Sequence, residues 1–400
     1  MKNLIKIFVL GVLVSCSNND VEIQEISFKY GENNAQPNLF SSHDTLLLSW
    51  ISSYENKQAS LYYSQLSEGE WQQPIKVSTG TDWFVNWADF PAIARNKNLV
   101  LTSYLKKSAQ ETYSYDVLLN LQTLTGDKIK EDFLLHTDGI KAEHGFVSMT
   151  PNSEDGFFVT WLDGRNTVKE SVENHHKAMT IRFAEINNKG DIIKETELDN
   201  TACDCCQTSI TLTEEGPLAV YRDRSKKEIR DIHIKKNKNG VWQDSKPVHN
   251  DGWVINGCPV NGPKVISNSS NLAVAWFTAS NGIPIVNVSF SSTFGDSFLD
   301  PIKVNDVDAI GRVDIDFLNE KEVIVSYMET DDLGTYLRVK KVSIDGKISD
   351  SITIANIDGG RNTGVPQLEI INDEIFIVWT ISKDGKNQLK SIKFNSEDLV

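Results

Sequence analysis

The sequence predicts an all-β fold that is assembled from seven similar units. A short apolar strand ending in an aromatic residue recurs along the whole chain, strand-like segments with Gly, Asn and Asp turns follow each recurrence, and amphipathic helical periodicity is nearly absent. The recurring strand reads LLLSW at 46–50, VLTSY at 100–104, FFVTW at 157–161, LAVY at 218–221, LAVAW at 272–276, VIVSY at 323–327 and IFIVW at 375–379. Its final aromatic residues lie 51 to 60 residues apart. Such even spacing is typical of a repeat architecture.

Each unit reads as four strands, which we call A to D in chain order. The fifth unit shows them most clearly, at residues 263–266, 272–276, 285–291 and 298–304. Four antiparallel strands repeated at this interval predict a β-propeller, in which each blade buries its faces against its neighbours. We therefore expect a single propeller with seven four-stranded blades, or six if one unit is distorted.

The last unit lacks a fourth strand. It supplies residues 366–371, 375–381 and 389–394, and no D strand follows them. The segment EIQEISF at 22–28 precedes the first unit and has no other partner. We expect it to become the outer strand of blade seven, because closing the ring removes the open edge between the first and last blades.

The composition is that of a folded chain, with 40% apolar and 24% charged residues among 400. Forty basic residues against fifty-five acidic ones give a net charge of −15. So acidic a surface repels phosphate backbones, and we expect no nucleic-acid partner.

The first 16 residues, MKNLIKIFVLGVLVSC, have the layout of a bacterial lipoprotein signal. Lys2 and Lys6 flank a short apolar run, and the sequence LVSC places a small residue directly before Cys16. We therefore predict a signal peptide at 1–15, a short tether at 16–21 that carries palmitate or a similar acyl chain on Cys16, and the propeller at 22–400. This predicts an outer-membrane lipoprotein of the cell envelope, and either the periplasmic or the outer side fits.

By alternation of strand direction, the D-to-A and B-to-C connections lie on one face of a propeller, where a ligand is expected to bind. Aromatic and amide side chains on this face are candidate ligand contacts: Trp83, Trp87, Trp253 and Asn256. The tryptophans fit stacking on a sugar and packing between loops equally well. The arginines there suit a planar anion, whereas salt bridges between blades are the alternative role.

Four cysteines occur only in two consecutive D-to-A loops, as ACDCCQ at 202–207 and GCP at 257–259. An extracytoplasmic address favours disulfides, yet Cys203, Cys205 and Cys206 cannot all reach Cys258. The alternatives are a thiolate site for copper or zinc, with His144 as a further candidate ligand, and a redox-active pair.

The repeat resembles the sialidase-like, Asp-box (BNR) propeller superfamily. Residues 291–298, SSTFGDSF, are similar to its S-x-D-x-G-x-T-W turn, with Thr293 where the aspartate stands. The resemblance implies glycoside hydrolysis through an arginine triad, an Asp acid and a Tyr–Glu nucleophile pair, although the family's early Arg-Ile-Pro motif is missing. The catalytic candidates that it suggests are Asp89, Asp138, Arg165, Arg312 and Arg361.

The sequence therefore supports three candidate functions. The first, which we prefer, is a lipid-anchored propeller with a cysteine-lined ligand or metal site on the D-to-A loop face. The second is a sialidase-like glycoside hydrolase or lyase acting on acidic glycans. The third is a scaffold that binds a protein through its loop face.

Overall fold

The computed structural model describes residues 21–42, 44–168 and 178–399. The predicted signal peptide and the lipidation site Cys16 lie outside these ranges. Within them, none of the helices has the length and apolar character needed to cross a bilayer.

The described residues form seven antiparallel sheets, which confirms the seven-bladed propeller. The strands of blades one to three are Asn34–Ser42, Thr45–Ser53, Ala59–Ser67, Glu70–Trp71 and Ile75–Gly80; Ile93–Asn96, Leu99–Lys107, Tyr115–Thr123 and Lys128–Leu134; and His144–Pro151, Phe157–Asp163, Met179–Ile186 and Ile192–Ala202. Blades one and four each have a fifth short strand, because two segments pair with different parts of the same C strand.

Blades four to seven continue the pattern. Their strands are Ser209–Thr213, Gly216–Arg222, Ile232–Lys238, Val241–Trp242 and Lys246–Pro247; Lys264–Ser267, Leu272–Thr278, Ile285–Ser291 and Ile302–Lys303; Asp308–Phe317, Glu322–Asp331, Gly334–Ser343 and Ile352–Asn356; and Gln367–Ile371, Glu374–Lys383 and Lys386–Asn395. Three short 3-10 turns, at Ser280–Gly282, Arg361–Thr363 and Ser396–Asp398, are the helical elements of the described residues.

The ring closes as the sequence predicts. The strand Gln24–Glu25 pairs antiparallel with Lys386–Asn395 and so becomes the fourth strand of blade seven. The next residue, Ile26, extends this pairing by donating its backbone N–H to the Ser391 carbonyl oxygen over 2.8 Å.

The recurring aromatic residues of the B strands lie in the core between neighbouring blades. Trp50, Trp161 and Trp276 are at most 1% exposed, as are Tyr221 and Tyr327. Apolar side chains alternate along these strands toward both adjacent sheets, so that each blade is stabilised chiefly by the two beside it.

The turn that resembles the Asp-box keeps the hydrogen bonds of a tight turn without an aspartate. Ser291 Oγ accepts the backbone N–H of Gly295 at 2.9 Å. Thr293 Oγ1 accepts the backbone N–H of Ser297 at 3.0 Å. The threonine hydroxyl thus takes the acceptor position that a carboxylate would occupy.

The innermost strands surround an axial cavity of about 280 Å³. Asp314, Asp316 and Glu369 line it, together with Lys264. Burial raises the pKa of Asp316 to about 7 and holds the pKa of Glu369 well above its usual range.

Candidate functional site

The loop face carries two clusters of chemically reactive side chains, one made of cysteines and one of histidines and carboxylates. Both lie where a D-to-A loop enters the next blade and meets the end of that blade's B strand. At the cysteine cluster, Ala202 forms a β-bridge with Asp223. At the histidine and carboxylate cluster, His144 pairs with Asp163. The geometry confirms that the D-to-A and B-to-C connections share one face.

Cys205 and Cys258 form a disulfide between the loop that enters blade four and the loop that enters blade five. Their Cα atoms are 6.0 Å apart, which is the ordinary spacing for such a bond. Of the alternatives that the sequence leaves open, one bridge to Cys258 is therefore formed, and it uses the middle cysteine of the cluster.

The remaining two cysteines are buried thiols that touch each other. The Sγ atoms of Cys203 and Cys206 are 3.1 Å apart. Cys203 is fully buried and Cys206 is 2% exposed. These two residues have the Cys-x-x-Cys spacing in which one thiol commonly becomes acidic and the other does not.

The surroundings lower the pKa of one thiol and raise the pKa of the other. The hydrogen bond from Cys206, with the nearby guanidinium groups of Arg222 and Arg230, lowers the pKa of Cys203 to about 6. Burial raises the pKa of Cys206 well above its usual range. Arg230 donates directly to Cys203 Sγ over 3.3 Å, so a thiolate at Cys203 has a charged hydrogen-bond partner.

Arg222 supports this cluster from below through backbone carbonyl groups. It donates to the carbonyl oxygens of Asn261, Arg230 and Phe277 at 2.7–3.1 Å. Its guanidinium carbon lies 4.9 Å from the centre of the Trp253 ring, and the residue is 1% exposed. All three nitrogens are thus engaged within the protein, and we assign Arg222 to the framework of the site.

The second cluster centres on two stacked histidines. The rings of His136 and His144 lie 3.6 Å apart and within 10° of parallel, and both are buried. His136 Nδ1 lies 2.8 Å from Asp138 Oδ2, and His144 Nε2 lies 3.3 Å from the same oxygen. The groups of metal-binding residue types around His144 consist of His136 and carboxylates, and contain no cysteine among the described residues. The structure therefore separates His144 from the cysteine cluster.

Arginine side chains hold the carboxylates of this cluster. Arg165 donates to both oxygens of Asp163, at 2.6 and 2.7 Å, and to Glu195 at 2.9 Å. Burial alone would raise the pKa of Asp163, but the Arg165 hydrogen bonds outweigh it and lower the pKa to about 2. Burial, with a further contribution from His144, lowers the pKa of His136 to about 4, so its imidazole is neutral at pH 7.

Between the two clusters lies an open cleft of about 720 Å³, which Tyr113, Glu143, Asp204 and Arg224 help to line. Tyr115 donates its hydroxyl to Glu143 Oε1 over 2.6 Å beside this cleft. Burial raises the pKa of Glu143 to about 7, despite the opposing hydrogen bond from Tyr115.

Asp89 is a buried carboxylate that holds the start of blade three. Both of its oxygens accept the Phe146 backbone N–H at 2.9 Å. Burial raises the pKa of Asp89 to about 8. Gly145 is required beside it, because a Cβ there would lie 2.1 Å from Asp89 Oδ2.

The tryptophans proposed as ligand contacts pack against other loop residues. Trp83 stacks on Tyr104 with ring centres 4.1 Å apart, and Trp253 meets Phe277 edge-on. Trp87 lies under the Arg312 guanidinium at 4.6 Å.

The other ligand and anion candidates differ in exposure. Arg312 donates to the carbonyl oxygens of Gly359, Gly360 and Gly364. Arg361 and Asn256 are exposed on the loop face. Arg165 and Arg312 therefore bind different partners and Arg361 is exposed, so the three arginines share no common partner among the described residues.

The sequence analysis missed Asp116, Tyr115 and Arg230. Asp116 and Tyr115 begin the C strand of blade two, and Arg230 lies two residues before the C strand of blade four. The alternation rule that placed the B-to-C loops on this face also places the first residues of each C strand there. Reading the polar residues SYD at 114–116 by that rule would have found Tyr115 and Asp116.

Comparison with known proteins assigns the fold and goes no further. No protein-family profile matches the sequence, and no curated protein matches it. Solved structures do match over nearly the whole chain. A protein of unknown function from Dyadobacter fermentans is 10% identical, with a TM-score of 0.53 over 94% of this chain and 98% of that one.

Two enzymes have similar structures. The NanB sialidase from Streptococcus pneumoniae is 13% identical, with a TM-score of 0.51 over 94% of this chain and 71% of that one. The polysaccharide lyase Uly1 is 7% identical, with a TM-score of 0.52 over 96% of this chain and 94% of that one. At these identities the likeness shows a sialidase-like propeller fold.

Proposed function

With the sialidase-like propeller as scaffold, we propose that the protein is a lipid-anchored, extracytoplasmic binding protein that holds a soft metal ion between Cys203 and Cys206. The observation that carries this proposal is the buried thiol pair, 3.1 Å from sulfur to sulfur, beside the Arg230 guanidinium. A buried dithiol with a charged hydrogen-bond partner on the loop face supports ion binding rather than a purely structural role.

The donor set favours copper(I) over zinc. The disulfide occupies Cys205 and Cys258, which leaves two sulfurs in the cluster. Structural zinc takes four ligands, whereas thiolates are the soft donors that select Cu(I). Two thiolates around one monovalent ion carry one net negative charge, and the Arg230 and Arg222 guanidinium groups lie close enough to offset it.

The proposed location outside the cytoplasm depends on the first 16 residues and on the disulfide. The apolar run ending in LVSC supports lipidation of Cys16, and the Cys205–Cys258 bridge suits an oxidising compartment. Replacing Cys16→Ala should move the protein from the membrane fraction to the soluble fraction and abolish palmitate incorporation. Unchanged membrane association and palmitate incorporation would refute the anchor.

Elemental analysis of protein isolated from its own envelope, without added metal or reductant, tests the metal site. We expect copper at about one per chain, lost in the Cys203→Ser/Cys206→Ser double variant. The control is Cys205→Ser/Cys258→Ser, which removes the disulfide and keeps the thiol pair, and should retain copper. Equal copper in both variants, or a Cys203–Cys206 disulfide without copper in the native protein, would overturn the proposal.

A second candidate function is hydrolysis or cleavage of an acidic glycan. The hydrogen-bonded Tyr115–Glu143 pair beside the cleft supports it, since a carboxyl group with a pKa near 7 suits general acid–base catalysis. The test is turnover of sialylated and uronic-acid glycans by native protein, with Glu143→Gln as the inactive variant. Absence of turnover across that panel would remove this candidate.

A further inference from the structure

The disulfide on the loop face lies directly against the buried thiol pair. The Sγ atoms of Cys203, Cys205 and Cys206 all lie within 4.8 Å of one another. Cys205 is one half of the bridge to Cys258, whereas Cys203 and Cys206 are free thiols. A dithiol and a disulfide in such proximity are the two reactants of thiol–disulfide exchange.

The two cysteine pairs differ in their access to solvent. Cys203 and Cys206 are 0% and 2% exposed, so a reagent in solution does not reach either thiol directly. Cys258 is exposed, as are Asn256 and Gly257 before it. The disulfide therefore connects the buried sulfur atoms with the surface of the protein.

The chain geometry selects which thiol attacks the disulfide. Cys205 and Cys206 are adjacent, and neighbouring Cα atoms are about 3.8 Å apart, which is closer than the roughly 4.4–6.8 Å of ordinary disulfides. Attack by Cys206 on Cys205 would therefore give a strained product. Cys203 is two residues from Cys205 and avoids this strain, and its own Sγ lies 3.1 Å from Cys206 Sγ.

The contacts of the cluster favour Cys203 as the attacking group and Cys258 as the leaving group. The backbone N–H of Cys203 donates to the Arg222 carbonyl oxygen over 2.9 Å, which holds this residue in place. Arg230 donates to Cys203 Sγ over 3.3 Å, so a cation lies beside the negative charge that passes between sulfur atoms during exchange. Cys258 follows exposed loop residues, so its sulfur can turn toward solvent once the bridge breaks.

We propose that the Cys205–Cys258 bridge is a redox relay, through which the buried thiol pair passes two electrons to an external disulfide. Cys203 attacks Cys205 Sγ, the bridge breaks, and Cys258 leaves as a thiolate. Cys206 then attacks Cys203, which forms a bond between these two residues and releases Cys205. The two protons of the buried thiols end on Cys205 and Cys258, so this exchange needs no oxidant.

An external disulfide completes the transfer. It takes two electrons and two protons from the exposed Cys205/Cys258 dithiol, becomes two thiols and restores that bridge. The protein then holds both disulfides. A Cu(I) ion between Cys203 and Cys206 would occupy both of the sulfur atoms that attack, so the relay belongs to the metal-free protein and its test is separate from that of copper binding.

Oxidised glutathione tests the relay on the metal-free full chain, with a copper(I) chelator present throughout. Acid quenching and disulfide mapping by mass spectrometry follow the four cysteines. We expect a Cys203–Cys206 bridge to form, with two molecules of reduced glutathione released per chain. The control is Cys205→Ser/Cys258→Ser, which keeps the buried pair and removes the relay, so its oxidation should be at least about tenfold slower. Equal rates in the two proteins would contradict the relay.

Alkylation of the unmodified chain by N-ethylmaleimide supplies a readout that leaves the bridge in place at the start. Trapping should put the label on Cys205 and Cys258 and leave a Cys203–Cys206 bridge, which is the reverse of the pairing in the structure. Cys203→Ser/Cys206→Ser keeps the original bridge without an attacking thiol and should take up no label. The proposal is overturned if the label falls on Cys203 and Cys206, or if the unmodified chain takes up none.

Discussion

Gln207 and Ala88 are joined by a 2.7 Å hydrogen bond from the Gln207 side-chain nitrogen to the Ala88 carbonyl oxygen, although 119 residues separate them in the chain. The other end of the same amide accepts the Gly262 backbone N–H at 2.9 Å. One buried side chain therefore ties together the loops that enter blades two, four and five. The cysteine cluster lies directly beside this tie.

Replacing Gln207→Ala should lower the free energy of unfolding by about 2–4 kcal/mol, because it leaves a buried carbonyl and a buried N–H without partners. Urea unfolding measures this. Gln243→Ala is the control, since Gln243 is exposed and its side chain bonds only to the nearby Val241 carbonyl oxygen. A loss in Gln207→Ala no larger than in this control would mean that the tie contributes nothing.

Arg222→Met should destabilise the fold by about 3 kcal/mol or more, since buried carbonyl groups lose their charged donor. Thermal unfolding is the measurement. Arg361→Met replaces an exposed arginine on the same face and should change stability by less than about 0.5 kcal/mol. Similar melting temperatures for the two variants would contradict the framework role of Arg222.

The ionisation of Cys203 should be visible in ultraviolet thiolate absorbance of metal-free protein in the Cys205→Ser/Cys258→Ser background. We expect a midpoint near pH 6, which should rise in Cys206→Ala, because the Cys206 hydrogen bond is the largest cause of the low pKa. Arg230→Met should raise it as well, and Lys226→Met, an exposed charge in the same loop, should not. A midpoint unmoved by Cys206→Ala would rule out this cause.

Asp316 should make stability fall as the pH rises. Its pKa is about 7 in the fold, above its ordinary value of 3.8, because of burial. The folded protein therefore holds this proton more tightly, and the stability gained below about pH 4 is lost as the pH rises through 7. Relative to wild type, Asp316→Asn should gain up to about 4 kcal/mol between pH 4 and pH 8.

The measurement is the free energy of unfolding of both proteins at the two pH values. Asp300→Asn, an exposed aspartate, serves as control and should follow wild type at both. If the difference between Asp316→Asn and wild type is the same at pH 4 and pH 8, the Asp316 carboxyl group is not the cause.

The propeller could be predicted from the sequence because its repeat consists of apolar and aromatic residues that every blade must bury. Trp50 and Trp276 occupy equivalent core positions for that reason. The pairing of the cysteines was harder to predict, because their spacing alone does not decide which of Cys203, Cys205 and Cys206 reaches Cys258. That choice depends on the path of two loops, which local preferences do not determine.

The histidine cluster shows a second limit. The sequence analysis names His144 as a candidate ligand on the correct face, but its neighbour Asp116 lies on another blade's C strand. A residue inside a regular strand has no sequence pattern that marks it as part of a loop site. Its part in the site emerges only when the adjacent blades are packed together.

The pairing of Gln24–Glu25 with Lys386–Asn395 has a consequence for biosynthesis. Blade seven contains both the first and the last strands of the described chain, so the ring cannot close before residues 386–395 are available to pair. Any blades that form before then make an open arc, in which the apolar faces that blades one and seven bury against each other are exposed. A chaperone that shields this surface would therefore be needed until the strand 386–395 has paired.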